Sequence, residues 1–510
     1  MATTARNDEA DQRFSPLEMS PSEFRAIGHR LVDQIAEFLA TVPNRPVAPG
    51  ESPAVIRGIL GGGGLPQTGS EPGPLLETAA SLLFDHSTLN GHPLFLGYIT
   101  SSPAPIGALG DLLAAAVNPN VGAWALSPMA TEIEMQTVRW IAELVGYPTT
   151  SGGLLVSGGN TANFIGFLAA RQAKAGWDVR TGGMAANPGG ALRAYASAET
   201  HTWLQKAADL FGLGTDAIRW IPTDARMRMD SAALREAIRS DEAAGHRPFL
   251  VVGTAGSTST GAIDPLPEIS AICRESNLWF HVDGTYGGFV AALPDAPRDL
   301  LGLSEADSLA VDPHKWLYTP LEAGCALVRD PSTLLATFSY HPTYYHFDGT
   351  EEAPVNFYEY GLQNSRGFRA LKVWLSLQQA GRDGFVRMMT ADIALAKALH
   401  RSVSSCPELE AWTQELSITT FRYVPPDLEP GQKEIESYLN RLNTEILTRL
   451  QDGGEAYLSN AVVQGTFLLR ACVVNFRTTL ADIQAIPGIV VRIGARLDAE
   501  LRPGDLRPGP

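Results

Sequence analysis

Short apolar runs separated by longer amphipathic stretches fill the middle of the chain. Between residues 105 and 372 the runs are Leu154-Leu155-Val156, Ala194-Tyr195-Ala196, Ile218-Arg219-Trp220-Ile221, Phe249-Leu250-Val251-Val252, Trp279-Phe280-His281-Val282, Ser308-Leu309-Ala310-Val311 and Cys325-Ala326-Leu327-Val328. Runs of this length, spaced by helical segments, are the mark of strands buried on both faces. They predict an α/β domain over 105–372, a mostly parallel seven-stranded sheet with helices on both sides.

The flanking sequence reads differently. Ser20 as N-cap, Pro21 at the first helical position and Glu23 form a capping-box pattern. The helix that follows carries a stripe of Phe24, Ile27, Leu31, Ile35, Phe38 and Leu39. This arm, 1–104, has little sequence of its own to cover the stripe, which is expected to bury itself on another subunit. The run Gly61-Gly62-Gly63-Gly64 lacks the preceding strand and following Lys-Ser/Thr of a phosphate loop, and reads as a flexible linker. Past residue 373 a helix at 433–451 (Ile435, Tyr438, Leu439, Leu442, Ile446, Leu450) precedes a strand-rich stretch, 466–474, which predicts a small C-terminal α+β domain over 373–510. Residues 1–18 and 502–510 read as disordered.

Composition narrows the function classes. With 510 residues, 45% hydrophobic and 18% charged, the chain has the make-up of an ordinary globular protein. A net charge of −16 argues against nucleic acid or an anionic membrane as partner. Cys273, Cys325, Cys406 and Cys472 are scattered, without a CxxC pair, which fits a reducing compartment. With no apolar signal core at the acidic N-terminus and no run long enough to span a bilayer, a cytoplasmic location is expected.

Chemistry gathers at the strand ends. The run ending in Val311-Asp312-Pro313 delivers His314-Lys315-Trp316, and an earlier run ends on Asp283 before Gly284. Alone, each reads as a solvated strand end or a turn. Together, a lysine and an aspartate at the ends of buried strands are what pyridoxal phosphate (PLP) requires: an amine for the Schiff base and a carboxylate to keep the pyridine nitrogen protonated. The first strand runs into Ser157-Gly158-Gly159-Asn160-Thr161 and a helix, a plausible phosphate cradle. His201, in Glu199-Thr200-His201-Thr202, could stack on a pyridine ring, and Thr254 ends a very apolar strand.

These pieces stand in an order that resembles the group II PLP-dependent amino-acid decarboxylases, the family of aromatic-L-amino-acid decarboxylase. The resemblance covers residues 19 to 480. It takes in Met19–Arg25, His92–Tyr98, Ser127–Glu134, His314-Lys315-Trp316 and Phe368–Trp374. It implies the PLP-dependent transferase fold (fold type I) and a carboxy-lyase that converts an L-amino acid, an aromatic one such as tryptophan, tyrosine, DOPA or phenylalanine, to its amine and CO2. It further implies that Lys315 is the Schiff-base lysine, that Asp283 partners the pyridinium and that His201 is the stacking imidazole. Gly158, Gly159 and Asn160 would form the phosphate loop, with His314 a phosphate contact. Thr254 and Asp312 are implied as cofactor-site residues. Tyr344, with Tyr345 as the one-residue alternative, falls where decarboxylases keep a tyrosine to protonate the carbanion, and where aldehyde synthases carry phenylalanine. A homodimer is implied, with no nucleic-acid or membrane partner.

The sequence also departs from the family. Thr285 replaces a small alanine-like residue and is expected to alter packing under the ring more than chemistry. In the substrate pocket Asn90, Asn120 and Gly122 stand where larger apolar residues are usual, while Tyr98 and Trp124 remain as aromatic walls. Arg477 is a candidate carboxylate anchor. With no cluster of Arg or Lys at these positions, an acidic substrate is disfavoured. An aldehyde synthase, a decarboxylase of a non-aromatic amino acid and a non-catalytic PLP-fold protein are the competing readings.

Overall fold

The computed structural model describes residues 15–340 and 354–506. All seven apolar runs are strands of one sheet: Gly152–Val156 (β1), Leu192–Ser197 (β2), Ile218–Ile221 (β3), Arg247–Thr254 (β4), Trp279–Asp283 (β5), Ser308–Val311 (β6) and Gly324–Val328 (β7). Their order is β1-β7-β6-β5-β4-β2-β3. β3, β2, β4, β5 and β6 run parallel, whereas β7 is antiparallel to both β6 and β1. Two inversions return β1 to the direction of β6. The carboxyl ends of β1, β2, β4, β5 and β6 therefore share one edge of the sheet, where open α/β sheets bind ligands.

Side-chain alternation explains why the runs are apolar throughout. Leu154, Val156, Ala194, Ala196, Leu250 and Val252 enter one core, against the helices Gly159–Lys174 and Trp203–Leu210. Leu155, Tyr195, Val251, Phe280 and Leu309 enter another, against Pro128–Leu144, Ser231–Ala243 and Leu266–Glu275. A period of two thus feeds both faces, and each face needs its own hydrophobic set.

A second, antiparallel sheet has the order β10-β11-β9-β8, formed by Leu409–Glu415 (β8), Ile418–Tyr423 (β9), Ser459–Val463 (β10) and Thr466–Cys472 (β11). The helix Lys433–Gly453 buries its whole expected stripe here. The β8–β9 hairpin had no clear sequence signal, because only Leu409 of β8 is fully buried and the strand lacks a clean alternation. The helix Ala370–Ser404 links the two regions and is broken at Gly381, whose φ of 62° only glycine adopts freely. Before the break it stacks Trp374 on Trp140; after it, the Ala396 carbonyl accepts from Thr419 of β9.

At the first helix, Pro21–Thr41, the Ser20 hydroxyl accepts from the Glu23 N–H at 3.2 Å, but among the described residues the return bond of a full capping box is not made. At Gly61–Gly64 an added Cβ would meet nothing within 4 Å, and the Gly61 N–H closes the helix Pro53–Leu60 on the Arg57 carbonyl at 3.0 Å. At the C-terminus the expected disorder from 502 is corrected: Gly504–Leu506 is a turn of 3-10 helix, because Arg502 is pinned by ion pairs to Asp427 and Asp498.

One buried ion pair ties the sheet to its flanks. Arg366 donates to Glu134, to the carbonyls of Val121 (2.9 Å) and Leu155 (2.6 Å), and stacks over Phe357, while Glu134 accepts from the Leu155 N–H. Both partners are inaccessible to water. Arg366→Met would strand a buried carboxylate and is expected to cost about 3–5 kcal/mol, read as a lower urea midpoint with an unchanged slope. A midpoint within error of the wild type would remove this pair from the account of β1.

Candidate active site

In-register pairing assembles the site. Thr254 at the end of β4 is opposite Asp283 at the end of β5, and Asp283 is opposite Ala310 of β6. Two residues on lies Asp312, then a single helical turn, Pro313–Trp316, started by its proline, which turns Lys315 back over the sheet edge. The Lys315 Nζ lies 3.1 Å from the Asp312 carboxylate and donates to the Thr285 hydroxyl at 3.1 Å. Thr285 in turn donates to Asp283 Oδ1 at 2.8 Å. The Nε1–H of Trp203 donates to the other Asp283 oxygen, also at 2.8 Å.

β1 leads to the anion end. Gly158, with φ at 128°, is the N-cap of the helix Gly159–Lys174, and no side chain caps that helix. Its first N–H groups and its dipole are therefore open to an anion. Glycine at 159 is required by a close approach: a Cβ there would lie 2.7 Å from Asp312 Oδ2 and 2.7 Å from the Thr285 methyl. His314 donates from Nδ1 to the Ala323 carbonyl at 2.7 Å, leaving Nε2 directed 3.7 Å from Asp312. Burial lowers the pKa of His314, opposed by Asp312. Burial likewise lowers that of His201, opposed by Asp283. Nδ1 of His201 accepts from the Trp203 backbone N–H at 3.3 Å, so in the neutral ring the proton sits on Nε2.

These groups line one cavity of about 670 Å³, with Tyr98, Ser157, Gly158, Gly159, Asn160, His201, Thr254, Asp283, Asp312, His314, Lys315 and Arg470 on its walls. Every residue expected to hold a cofactor is among them. Five residues expected in the substrate pocket lie elsewhere within this chain. Arg477 donates to Ser102 and, with Asn90, lines a neighbouring cavity under Phe38 and Leu83. Oδ1 of Asn120 accepts from the N–H groups of Gly122 and Arg366. Trp124 points its indole to Glu132 on an exposed face. None of these four, nor Gly122, lines the Lys315 cavity; Tyr98 does. Tyr344 lies outside the described residues.

Two residues escaped the sequence reading. Arg470, on β11, is 2% exposed and donates to the Tyr98 carbonyl (3.1 Å) and the Ser459 hydroxyl (2.9 Å), while Nε and the second terminal nitrogen have no partner among the described residues. A charge inside the apolar run Phe467-Leu468-Leu469-Arg470-Ala471 was the available signal. Trp203 offered none, since a tryptophan at a helix start reads as core.

A strand-end lysine beside two buried carboxylates, facing an uncapped helix N-terminus, defines the site of an enzyme that uses a phosphorylated aldehyde cofactor. One oxygen of Asp312, buried without a hydrogen-bond partner among the described residues, also fits a site completed by a ligand. Comparison with known proteins gives the class. Residues 65–424 match the pyridoxal-dependent decarboxylase conserved domain. An aromatic-L-amino-acid decarboxylase of Bacillus atrophaeus is 32% identical over 472 residues, 92% of this chain and 95% of that protein. A phenylacetaldehyde synthase of Petunia hybrida is 30% identical, covering 93% and 95%. The structure of Oryza sativa TDC with PLP and tryptamine superposes with a TM-score of 0.86 at 27% identity, over 95% of this chain and all of that one. The chain belongs to the pyridoxal-dependent decarboxylase family and is a PLP-dependent amino-acid decarboxylase.

The cradle is testable through its tightest contact. Gly159→Ala drives a methyl into Asp312 and Thr285 and is expected to weaken PLP binding about ten-fold, the scale of an overpacked buried position, with the far-UV spectrum unchanged. Unaltered affinity would mean the loop does not seat the cofactor.

Proposed function

We propose that the chain decarboxylates an aromatic L-amino acid to the corresponding amine. The observation that carries this reading is the convergence of Lys315, Asp283 and the half-unpartnered Arg470 on one cavity. PLP, when bound, supplies the aldehyde that captures the substrate amine and the ring that accepts the electrons of the broken Cα–carboxylate bond.

The protein's own groups would do the rest. The helix N-terminus at Gly158, Gly159 and Asn160, with His314 beside it, receives the phosphate. Lys315 is the amine that attaches to the aldehyde and gives way to the substrate. Asp283 holds the proton on the ring nitrogen, and His201 packs its imidazole against the ring. Thr254, its N–H fixed 2.8 Å from the buried Asp264 carboxylate, borders the cofactor. Arg470, with two guanidinium nitrogens unpartnered among the described residues, would receive the substrate carboxylate, and Tyr98, Ile99 and Leu321 supply apolar wall. A tyrosine at 344 in the sequence favours protonation at Cα and release of the amine over aldehyde formation.

Surface chemistry supports a homodimer. No residue of the helix Pro21–Thr41 is buried, and its Phe24 is 58% exposed. The helix Pro105–Val117 exposes Leu109, Leu112, Leu113 and Val117 on one face. Apolar area on this scale is what a second copy covers. Asn120, Gly122 and Trp124, absent from this chain's own cavity, lie beyond that same helix and would serve the neighbouring site. Four free cysteines, and no helix among the described residues long and apolar enough to cross a membrane, accord with a cytoplasmic enzyme.

Arg470 also favours a second reading, an amino acid with an acidic side chain, which the same guanidinium would receive. An amino-acid panel with CO2, amine, aldehyde and peroxide followed together separates the possibilities. CO2 with stoichiometric amine from tryptophan, tyrosine, DOPA or phenylalanine is expected; turnover confined to aspartate- or glutamate-like substrates, or aldehyde with peroxide, overturns the proposal. Arg470→Met should raise KM about ten-fold or more and change kcat less, because an ion pair to the departing carboxylate is strongest in the ground state. A fall in kcat alone would move Arg470 off the substrate.

A further inference from the structure

Asp283 is held more firmly than a partner for a ring nitrogen requires. Its Oδ1 accepts from both the hydroxyl (2.8 Å) and the backbone N–H (3.2 Å) of Thr285, and its Oδ2 accepts from the indole of Trp203 at 2.8 Å. Trp203 has no accessible surface. Its indole meets the ring of His281 edge-on, with centroids 5.6 Å apart and planes at 80°. His281 is itself immobilised, bonded to Ser308 at 2.7 Å and to Asn163 at 2.8 Å, and burial holds its pKa down at about 4, so that it stays neutral. The backbone N–H of the same tryptophan fixes His201. On the other side Thr285 is wedged by its methyl against the Gly159 backbone and receives a hydrogen bond from Lys315.

We infer that Trp203 and Thr285 are positioning residues that clamp the Asp283 carboxylate from its two oxygens and so keep the cofactor's ring proton on nitrogen. A carboxylate has about four lone-pair sites. Thr285 fills both on Oδ1 and Trp203 one on Oδ2, which leaves a single site on Oδ2 for the ring. Hydrogen bonds to the ionised form stabilise that form, so a proton shared between ring and carboxylate rests on the ring. Thr285 is therefore more than packing, contrary to the expectation from sequence: its hydroxyl contacts both the lysine and the aspartate. The inference rests on Asp283 being the partner of the ring nitrogen, and the test separates the two.

The protein would be stripped, reloaded with PLP labelled with 15N in the ring, and the nitrogen signal recorded with PLP affinity for wild type, T285A, T285S, W203F and D283N. The wild type should give a pyridinium signal. T285A and W203F should move it toward neutral pyridine and weaken PLP binding about ten-fold, the scale of one hydrogen bond to a charged group, and T285S should restore both. Where W203F fails to fold, the T285A and T285S pair decides. A displaced signal in D283N with wild-type signals and affinities in T285A and W203F overturns the clamp and leaves Asp283 in its role. An unmoved signal in D283N overturns the role of Asp283 and the clamp with it.

Discussion

Two carboxylates buried within reach of one lysine set the terms for the whole site. Asp283 and Asp312 are nearly inaccessible to water, and charges so placed persist only with donors or counter-charges around them. Asp283 has Thr285 and Trp203; Asp312 has Lys315 on one oxygen and, among the described residues, no hydrogen-bond partner on the other. A cofactor with a protonated ring and a phosphate complements this arrangement at both ends. The cation would meet Asp283, and the anion the open N-terminus of the helix Gly159–Lys174. The fold serves that arrangement by aligning the ends of β4, β5 and β6, and by inverting β7 so that β1 delivers its glycines to the same edge.

Much of this was legible in the sequence, because strands buried on both faces must be apolar throughout. All seven runs are strands, and the groups at their ends converge as their order implied. What stayed hidden depends on contacts distant in sequence. Arg470 and Arg477 are seven residues apart, and only the pairing of β11 with β9 and β10 fixes Arg470 within the strand on the cavity wall while Arg477 falls in the loop beyond it. Trp203 is an ordinary core residue by sequence; its bond to Asp283 joins the start of the helix Trp203–Leu210 to the end of β5. The hydroxyl of Thr285 was visible, but its direction was not. Asn120 read as pocket wall in the sequence, whereas within this chain its Oδ1 holds two backbone N–H groups.

The same scaffold carries more than one outcome of decarboxylation, so fold and cofactor leave product and substrate open. The groups proposed for those choices are few: for the substrate, the guanidinium of Arg470, the aromatic Tyr98 held in a left-handed conformation whose carbonyl Arg470 engages, and residues a neighbouring subunit would lend; for the product, a tyrosine at 344. A rigid cofactor floor with variable walls is what lets one chemistry serve many amino acids.

The most direct measurement is borohydride reduction of the PLP-loaded protein followed by peptide mass mapping. A pyridoxyl group fixed on Lys315, and absent from Lys315→Ala, is the expected result. A label on another lysine, or none on protein that still binds PLP, would contradict the assignment of this cavity.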